Sequence, residues 1–146
     1  NDLKTVILLN IELLKKLDRS INFNFDSQKS FRFKFDYEQI NRVCFNLIKN
    51  SIESLKEKGQ KTAKFIKNID IEILDHIDYI SLTITDTGLG FKNINTSELI
   101  KPYFTTKADG TGLGLSIVSK IINDHNGIIS FTNLNNGAKV EIKFYK

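Results

Sequence analysis

The chain has 146 residues, 40% hydrophobic and 26% charged, the make-up of one globular domain large enough to bury a core. Its net charge of +4 raises nucleic acid as a partner, but the lysines are spread widely, so a solvated surface is the better reading and no nucleic acid is expected. No apolar run approaches the roughly 20 residues of a membrane helix; the best, residues 6–9, is broken by Asn10, and no secretory leader is visible.

The single cysteine, Cys44, excludes an internal disulfide and fits a reducing, cytoplasmic setting. The chain has no methionine, position 1 included. It is therefore expected to be a piece of a longer protein, other parts of which could cross a membrane.

Taken in order, Leu3, Val6, Leu9, Leu13 and Leu17 predict a helix with one apolar side, ending near Asp18 and Arg19. Ile21, Phe23 and Phe25, then Phe31, Phe33 and Phe35, alternate with polar residues and predict two strands joined through residues 26–29. Their phenylalanines read as core rather than as a platform for stacking bases. Asp36 can cap the next helix, with Gln39 completing a capping box. Ile40, Val43, Cys44, Leu47, Ile48, Ser51, Ile52 and Leu55 then mark a wide buried stripe, in which Cys44 is inert core. Asn46 and Asn50, four apart, stack at the flank of that stripe. Asparagine is a poor helix former, so two at one helix edge suggest a task.

Residues 56–67 are basic, punctuated by Gly59, and read as a loop or insertion. Ile69, Ile71 and Ile73, then Ile80, Leu82 and Ile84, predict a hairpin whose turn leaves His76 solvated. The second strand runs into Asp86-Thr87-Gly88-Leu89-Gly90, an acid and two spaced glycines suited to a tight, ligand-facing turn. Residues 97–100 read as a short helix before Pro102. Gly110, Gly112 and Gly114 fall within five residues, and Leu113, Ile117 and Ile121 then recur every four, as on one helix face. Glycines at a helix start leave amides uncovered at the positive end of the dipole, a site for an anion and most often for phosphate. Thr105, Thr106 and Lys107 stand just upstream, where they can close over it. The helix is expected to stop at Gly127, with His125 near its end served by the dipole when charged. Residues 128–132 and 140–144 close the chain as two strands around Asn135-Asn136-Gly137.

Two familiar phosphate motifs fail. No run has the P-loop spacing before a Gly-Lys-Ser/Thr, and the Gly-x-Gly-x-Gly here is not the Gly-x-Gly-x-x-Gly of dinucleotide sites. What remains is a combination: Asn46-x-x-x-Asn50, Asp86-x-Gly88-x-Gly90, Phe104-Thr105-Thr106-Lys107, and Gly110-x-Gly112-x-Gly114-Leu115. In this order and spacing these resemble the N, G1, F and G2 boxes of the histidine-kinase ATP-binding domain, the Bergerat-type fold shared with gyrase and MutL ATPases. The resemblance runs from about Asp2 to the end of the chain. The wording around Lys101-Pro102-Tyr103-Phe104 and Asn50-Ser51-Ile52-Glu53-Ser54 is most similar to nitrogen-regulation (NtrY-like) sensor kinases.

The resemblance implies an α/β (α+β) two-layer sandwich: a mixed, mostly antiparallel sheet with helices on one face and an ATP lid at about residues 92–111. The whole of 1–146 would be one ATP-binding catalytic domain. By the same resemblance, Asp86 accepts from the adenine amino group, while Gly88 and Gly90 let the backbone approach base and ribose. Asn50 offers its oxygen to Mg²⁺, and Gly110, Thr111, Gly112 and Gly114 present amides to the phosphates, with Leu113 and Leu115 anchoring the helix. Thr106 and Lys107 belong to the closing lid, and Lys107 neutralises phosphate charge. Asn46 stands where hydrolytic relatives carry a water-activating glutamate; an amide cannot be that base, which favours phosphoryl transfer.

Some positions depart from the pattern. Ser51 replaces the usual Ala, and Ala138 and Lys139 follow Gly137 where a Thr is common, leaving one adenine-side hydrogen bond without its donor. Neither His76 nor His125 sits in a phospho-acceptor setting, so the target histidine is expected on a dimerisation domain outside the chain, with a response regulator as the next acceptor. The fragment is expected to be a cytoplasmic monomer, the parent a homodimer with any membrane contact through its missing parts. Two rivals stand: another enzyme of this fold, hydrolysing ATP or phosphorylating serine, and a basic interaction module that has kept the fold alone.

Overall fold

The computed structural model describes residues 1–26, 28–91 and 114–146. Its longest element is a helix that Asp36 starts, the carboxylate accepting from the Gln39 N–H at 3.0 Å. We call the helices α1 (Leu3–Leu14, followed by a 3₁₀ turn at Lys15–Leu17), α2 (Tyr37–Lys61) and α3 (Gly114–Asp124). The strands are β1 (Asn22–Phe25), β2 (Asn68–Asp75), β3 (Tyr79–Asp86), β4 (Gly127–Leu134) and β5 (Gly137–Tyr145). Among the described residues they form a five-stranded sheet in the order β1-β2-β3-β5-β4, with β1 parallel to β2 and every other pair antiparallel.

The core lies between this sheet and the helices. The buried residues of α2 are Ile40, Val43, Cys44, Leu47, Ile48, Ser51, Ile52 and Leu55, the stripe expected from the sequence. Inward-facing Ile69, Ile71 and Ile73 of β2 and Ile80, Leu82 and Ile84 of β3 meet it. Burial pushes the Cys44 thiol up to about 12, so it stays a protonated, unreactive core group.

Four local expectations are corrected. On α1 the buried face is Leu3, Val6, Ile7, Asn10, Ile11 and Leu14, whereas Leu9, Leu13 and Leu17 are exposed. Buried Asn10 is accommodated by donating to the Val6 carbonyl at 2.9 Å and to Asn41 Oδ1 of α2 at 2.8 Å. Phe31, Phe33 and Phe35 form no strand of the sheet, because residues 31–33 lie against the start of α1. There the Leu3 N–H donates to the Phe31 carbonyl at 3.0 Å and the Phe33 N–H to that of Asn1 at 3.1 Å. Residues 56–61 are not a loop: α2 runs through Gly59 to Lys61. Asn126, at φ 55°, makes the left-handed step that ends α3, and Gly127 opens β4.

The histidines are bound into the fold. His76 is half-buried, stacks on Tyr79 with ring centroids 4.3 Å apart, and has Nε2 at 3.2 Å from Ser81 Oγ. His125 has Nδ1 at 2.7 Å from the Ile121 carbonyl, and its Nε2 accepts the Asp36 N–H at 3.1 Å. These contacts tie the end of α3 to the start of α2.

Asp2 caps α1 and anchors the phenylalanine segment. It accepts from Lys4 N–H at 3.1 Å, Phe31 N–H at 3.0 Å and Ser30 Oγ at 2.6 Å. Desolvation raises its pKa, but these bonds together outweigh it and hold the group below its usual 3.8. The stabilisation is therefore present above the unfolded value and lost as pH falls through the folded one. Asp2→Ala should cost about 1–2 kcal/mol at neutral pH. Urea unfolding of both proteins should show the difference shrinking below the ordinary carboxylate range.

Candidate functional site

Asp86 is the last of the inward row Ile80, Leu82, Ile84, Asp86, so the strand's two-residue period carries a carboxylate into the helix-facing layer. It pairs in register with Ile69 of β2 and Ala138 of β5, and only 6% of it is exposed. Its Oδ1 accepts the Gly88 N–H at 2.9 Å, and the nearby Ser51 hydroxyl and Ala138 main chain also favour the charged carboxylate. Burial nevertheless holds its pKa above the ordinary carboxylate value; the bonds from Gly88, Ser51 and Ala138 and the charge of Lys58 offset part of that. The ionised group thus costs stability above its folded pKa, and the cost is relieved as pH falls through it.

The turn after Asp86 leaves no room for side chains. A Cβ on Gly88 would press into Ser54 Oγ and stand 2.9 Å from Asp86 Oδ1. Gly90 has φ +71°, and a Cβ there would lie 2.7 Å from the Gly137 carbonyl oxygen. Asn133 of β4 accepts the Phe91 N–H through Oδ1, and the Phe91 ring meets Phe131 edge-on at 5.7 Å. The tip of the β4–β5 hairpin therefore forms one wall of the turn.

The other wall is α2. Asn46 and Asn50 are half-buried, one turn apart, and Asn50 directly precedes Ser51, which favours the charged form of Asp86. Ser54 Oγ accepts the Leu89 N–H at 2.9 Å, and Lys58 Nζ donates to the Thr87 carbonyl at 2.7 Å. Sequence reasoning did not find Ser54, Lys58, Asn133 or the placement of Gly137, and it read Ser51 only as a departure from the usual Ala. The available signal was the spacing of Ser51, Ser54 and Lys58, which sets all three on one side of a helix if the helix continues that far.

Residues 35–146 match the family of histidine kinase-, DNA gyrase B-, and HSP90-like ATPases. The chain belongs to that family. It is 37% identical over 136 residues to an NtrY-like sensor histidine kinase of Rickettsia conorii, covering 92% of this chain and 22% of that protein. It is 32% identical over 128 residues to the sensor histidine kinase ZraS of Salmonella typhimurium, covering 86% of this chain and 26% of that one. The nucleotide-free catalytic domain of the histidine kinase ThkA superposes with a TM-score of 0.85 at 29% identity, covering 100% of this chain and 93% of that one. The chain thus corresponds to the ATP-binding catalytic domain of sensor histidine kinases and spans 22% to 26% of the length of these curated relatives. The two-layer α+β expectation agrees with the fold these catalytic domains share.

Of the four boxes expected from the sequence, the first lies on α2 and the second in the turn after β3, which α2 meets through Ser54 and Lys58. The third, with Thr106 and Lys107, lies outside the described residues, as do Gly110, Thr111, Gly112 and Leu113 of the fourth, the expected lid at 92–111 and the short helix at 97–100. Gly114 is the first residue of α3, and Leu115 packs half-buried against the core. Among the described residues no three His, Cys, Asp or Glu side chains gather as a metal site. No helix among them is long and apolar enough to cross a membrane.

Proposed function

We propose that this domain binds ATP between α2, the Asp86 turn and the start of α3, and hands the γ-phosphoryl to a histidine on a dimerisation domain outside the chain. The observation that carries this is the buried Asp86 carboxylate. Its Oδ1 accepts the Gly88 N–H at 2.9 Å, Ser51 and Ala138 also favour its charged form, and a carboxylate offers roughly four acceptor positions. That leaves capacity for an amino group such as that of adenine. Guanine presents a carbonyl at that position and would meet repulsion. The glycine turn supports the same reading, since a Cβ at Gly88 or Gly90 would fill space next to the carboxylate and its wall.

Mg²⁺ fits the donor chemistry. With no acidic cluster among the described residues, it would be held by the Asn50 side-chain oxygen, waters and substrate phosphates, a common arrangement for this ion. When bound, it would neutralise charge on the phosphates. Gly110, Thr111, Gly112 and Gly114 would offer amides to those phosphates at the α3 N-terminus, Leu113 and Leu115 would anchor that helix, and Thr106 and Lys107 would close over it. Asn46 cannot act as a general base for water, which favours transfer over hydrolysis. In the transfer, a phosphorus–nitrogen bond forms on the acceptor imidazole as the bond to the bridging oxygen breaks, leaving ADP.

ThkA has been captured in complex with the response regulator TrrA. By analogy, we assign a cognate response regulator as the downstream acceptor here. We also infer a monomeric cytoplasmic domain within a homodimeric parent. Calorimetric titration with ATP and GTP, with and without Mg²⁺, tests the reading. Adenine-selective, Mg²⁺-dependent binding in the micromolar to sub-millimolar range is expected. Binding of neither nucleotide would sink it, and steady ATP turnover by the isolated domain would move it to a hydrolytic enzyme.

A further inference from the structure

The last turns of α2 do more than end a helix. Ser51, Ser54 and Lys58 lie three and four residues apart, on one side, and each reaches the chain between Asp86 and Leu89. Ser51 favours the charged form of the Asp86 carboxylate, and Ser54 accepts from Leu89 at 2.9 Å. Lys58 crosses to the Thr87 carbonyl at 2.7 Å, with its ammonium 4.6 Å from the centre of the Phe65 ring. Thr87 is held from its other sides too. Its N–H donates to the Asn68 carbonyl at 3.2 Å, and its hydroxyl donates to the Ile66 carbonyl at 2.7 Å and accepts the Asn68 N–H at 3.0 Å.

An exposed helix-end lysine would ordinarily face solvent or a surface carboxylate. Lys58 instead is half-buried, and among the described residues it forms no ion pair within salt-bridge distance. Its ammonium donates to one main-chain oxygen, that of the residue following Asp86, and its charge also favours the ionised Asp86 carboxylate. A charge-assisted hydrogen bond of this kind is stronger than a neutral one, and the Phe65 face beneath the ammonium limits the directions it can take.

We propose that Lys58 is a positioning residue for adenine recognition, fixing the Thr87 carbonyl so that the Asp86 carboxylate is presented to the amino group of the base. This deepens the nucleotide reading above and rests on it. Phe65 seats the ammonium, and the continuation of α2 past Leu55 is what brings Lys58 to the turn. The segment that reads from sequence as a basic insertion is a strut behind the base-binding acid.

The test compares the wild-type domain with Lys58→Met and Lys58→Arg, titrated with ATP and with purine riboside triphosphate, which carries hydrogen in place of the amino group. Thermal melts check that each variant is folded. Lys58→Met should weaken ATP binding roughly 5- to 10-fold, the worth of about one well-aligned hydrogen bond, and leave the analogue within about twofold of wild type. Lys58→Arg should restore most of the preference for ATP. Equal losses for both ligands would make Lys58 a support for the helix end alone and overturn the proposal. So would unchanged ATP affinity, or failure of Arg to rescue. If the wild-type domain binds neither ligand, the nucleotide reading fails first and takes this inference with it; if it binds both and only the Lys58 pattern is missing, the reading stands without it.

Discussion

Asp86→Asn should lower ATP affinity roughly 10- to 100-fold and abolish the preference for ATP over GTP. The range follows from the worth of a hydrogen bond to a charged group, about 1.5–3 kcal/mol, at about 1.4 kcal/mol per tenfold. Asn keeps one oxygen for the Gly88 N–H, which Asp86 now accepts at 2.9 Å. Its other terminus becomes a donor facing the place of the adenine amino group, two donors with no acceptor between them. The same donor suits the guanine carbonyl, so GTP should lose little and could gain. The fold should survive, because burial penalises the charge that the substitution removes, and the Ser51 hydroxyl can turn to accept. Calorimetry with both nucleotides reads the effect, and a thermal melt separates it from unfolding. An Asn variant that bound ATP as tightly as wild type would remove Asp86 from base recognition.

The parts of this fold that were legible in the sequence were those where one pattern had no competitor. The α2 stripe from Ile40 to Leu55 was read residue for residue, because eight apolar or small positions keep one helical period against a polar background. On α1 the background is itself apolar. Leu9, Leu13 and Leu17 keep as good a period as Ile7, Ile11 and Leu14, and the choice between them was made by packing on α2, where Asn10 finds Asn41. Alternation at Phe31, Phe33 and Phe35 reported which side is buried but not what lies alongside. The partner turned out to be residues 1 and 2 rather than a neighbouring strand. Gly59 misled in the opposite way. Its cost of about 1 kcal/mol in a helix interior is small against the tertiary contacts that hold α2 ahead of it, through Leu55, Ser54 and Lys58. At the candidate site, Asp86 and its glycines carry residue-type signals, an acid at a strand end and positions without a Cβ. Ser54 and Lys58 carry none, because they bind main-chain atoms of Leu89 and Thr87, and a backbone carbonyl or N–H has no letter in the sequence.

The largest loss of stability should come from Gly137→Ala. Gly137 has φ +141°, where residues with a Cβ are strained, and it sits buried at the start of β5. A Cβ there would overlap the Asp86 carbonyl oxygen and lie 2.8 Å from the carbonyl carbon and 3.0 Å from Thr87 Cα. All three are backbone atoms, so no rotamer change makes room. The β3–β5 ladder must part where Ala138 faces Asp86. Strain of this kind together with the lost pairing should cost about 3–4 kcal/mol, a large share of the roughly 5–15 kcal/mol that holds a domain of this class folded. Gly59→Ala provides the internal comparison. It lies inside α2 with nothing within 4 Å of the added carbon, so the methyl should stabilise by about 0.5–1 kcal/mol through helix propensity alone. Urea unfolding of both variants should therefore move in opposite directions. Because the overlap is with Asp86 itself, the Gly137 variant should also lose ATP affinity under conditions where it remains folded, while the Gly59 variant keeps it. A Gly137→Ala domain with wild-type stability would mean that the hairpin tip does not hold Asp86 where it stands, and the wall it forms for the Asp86 turn would have to come from elsewhere.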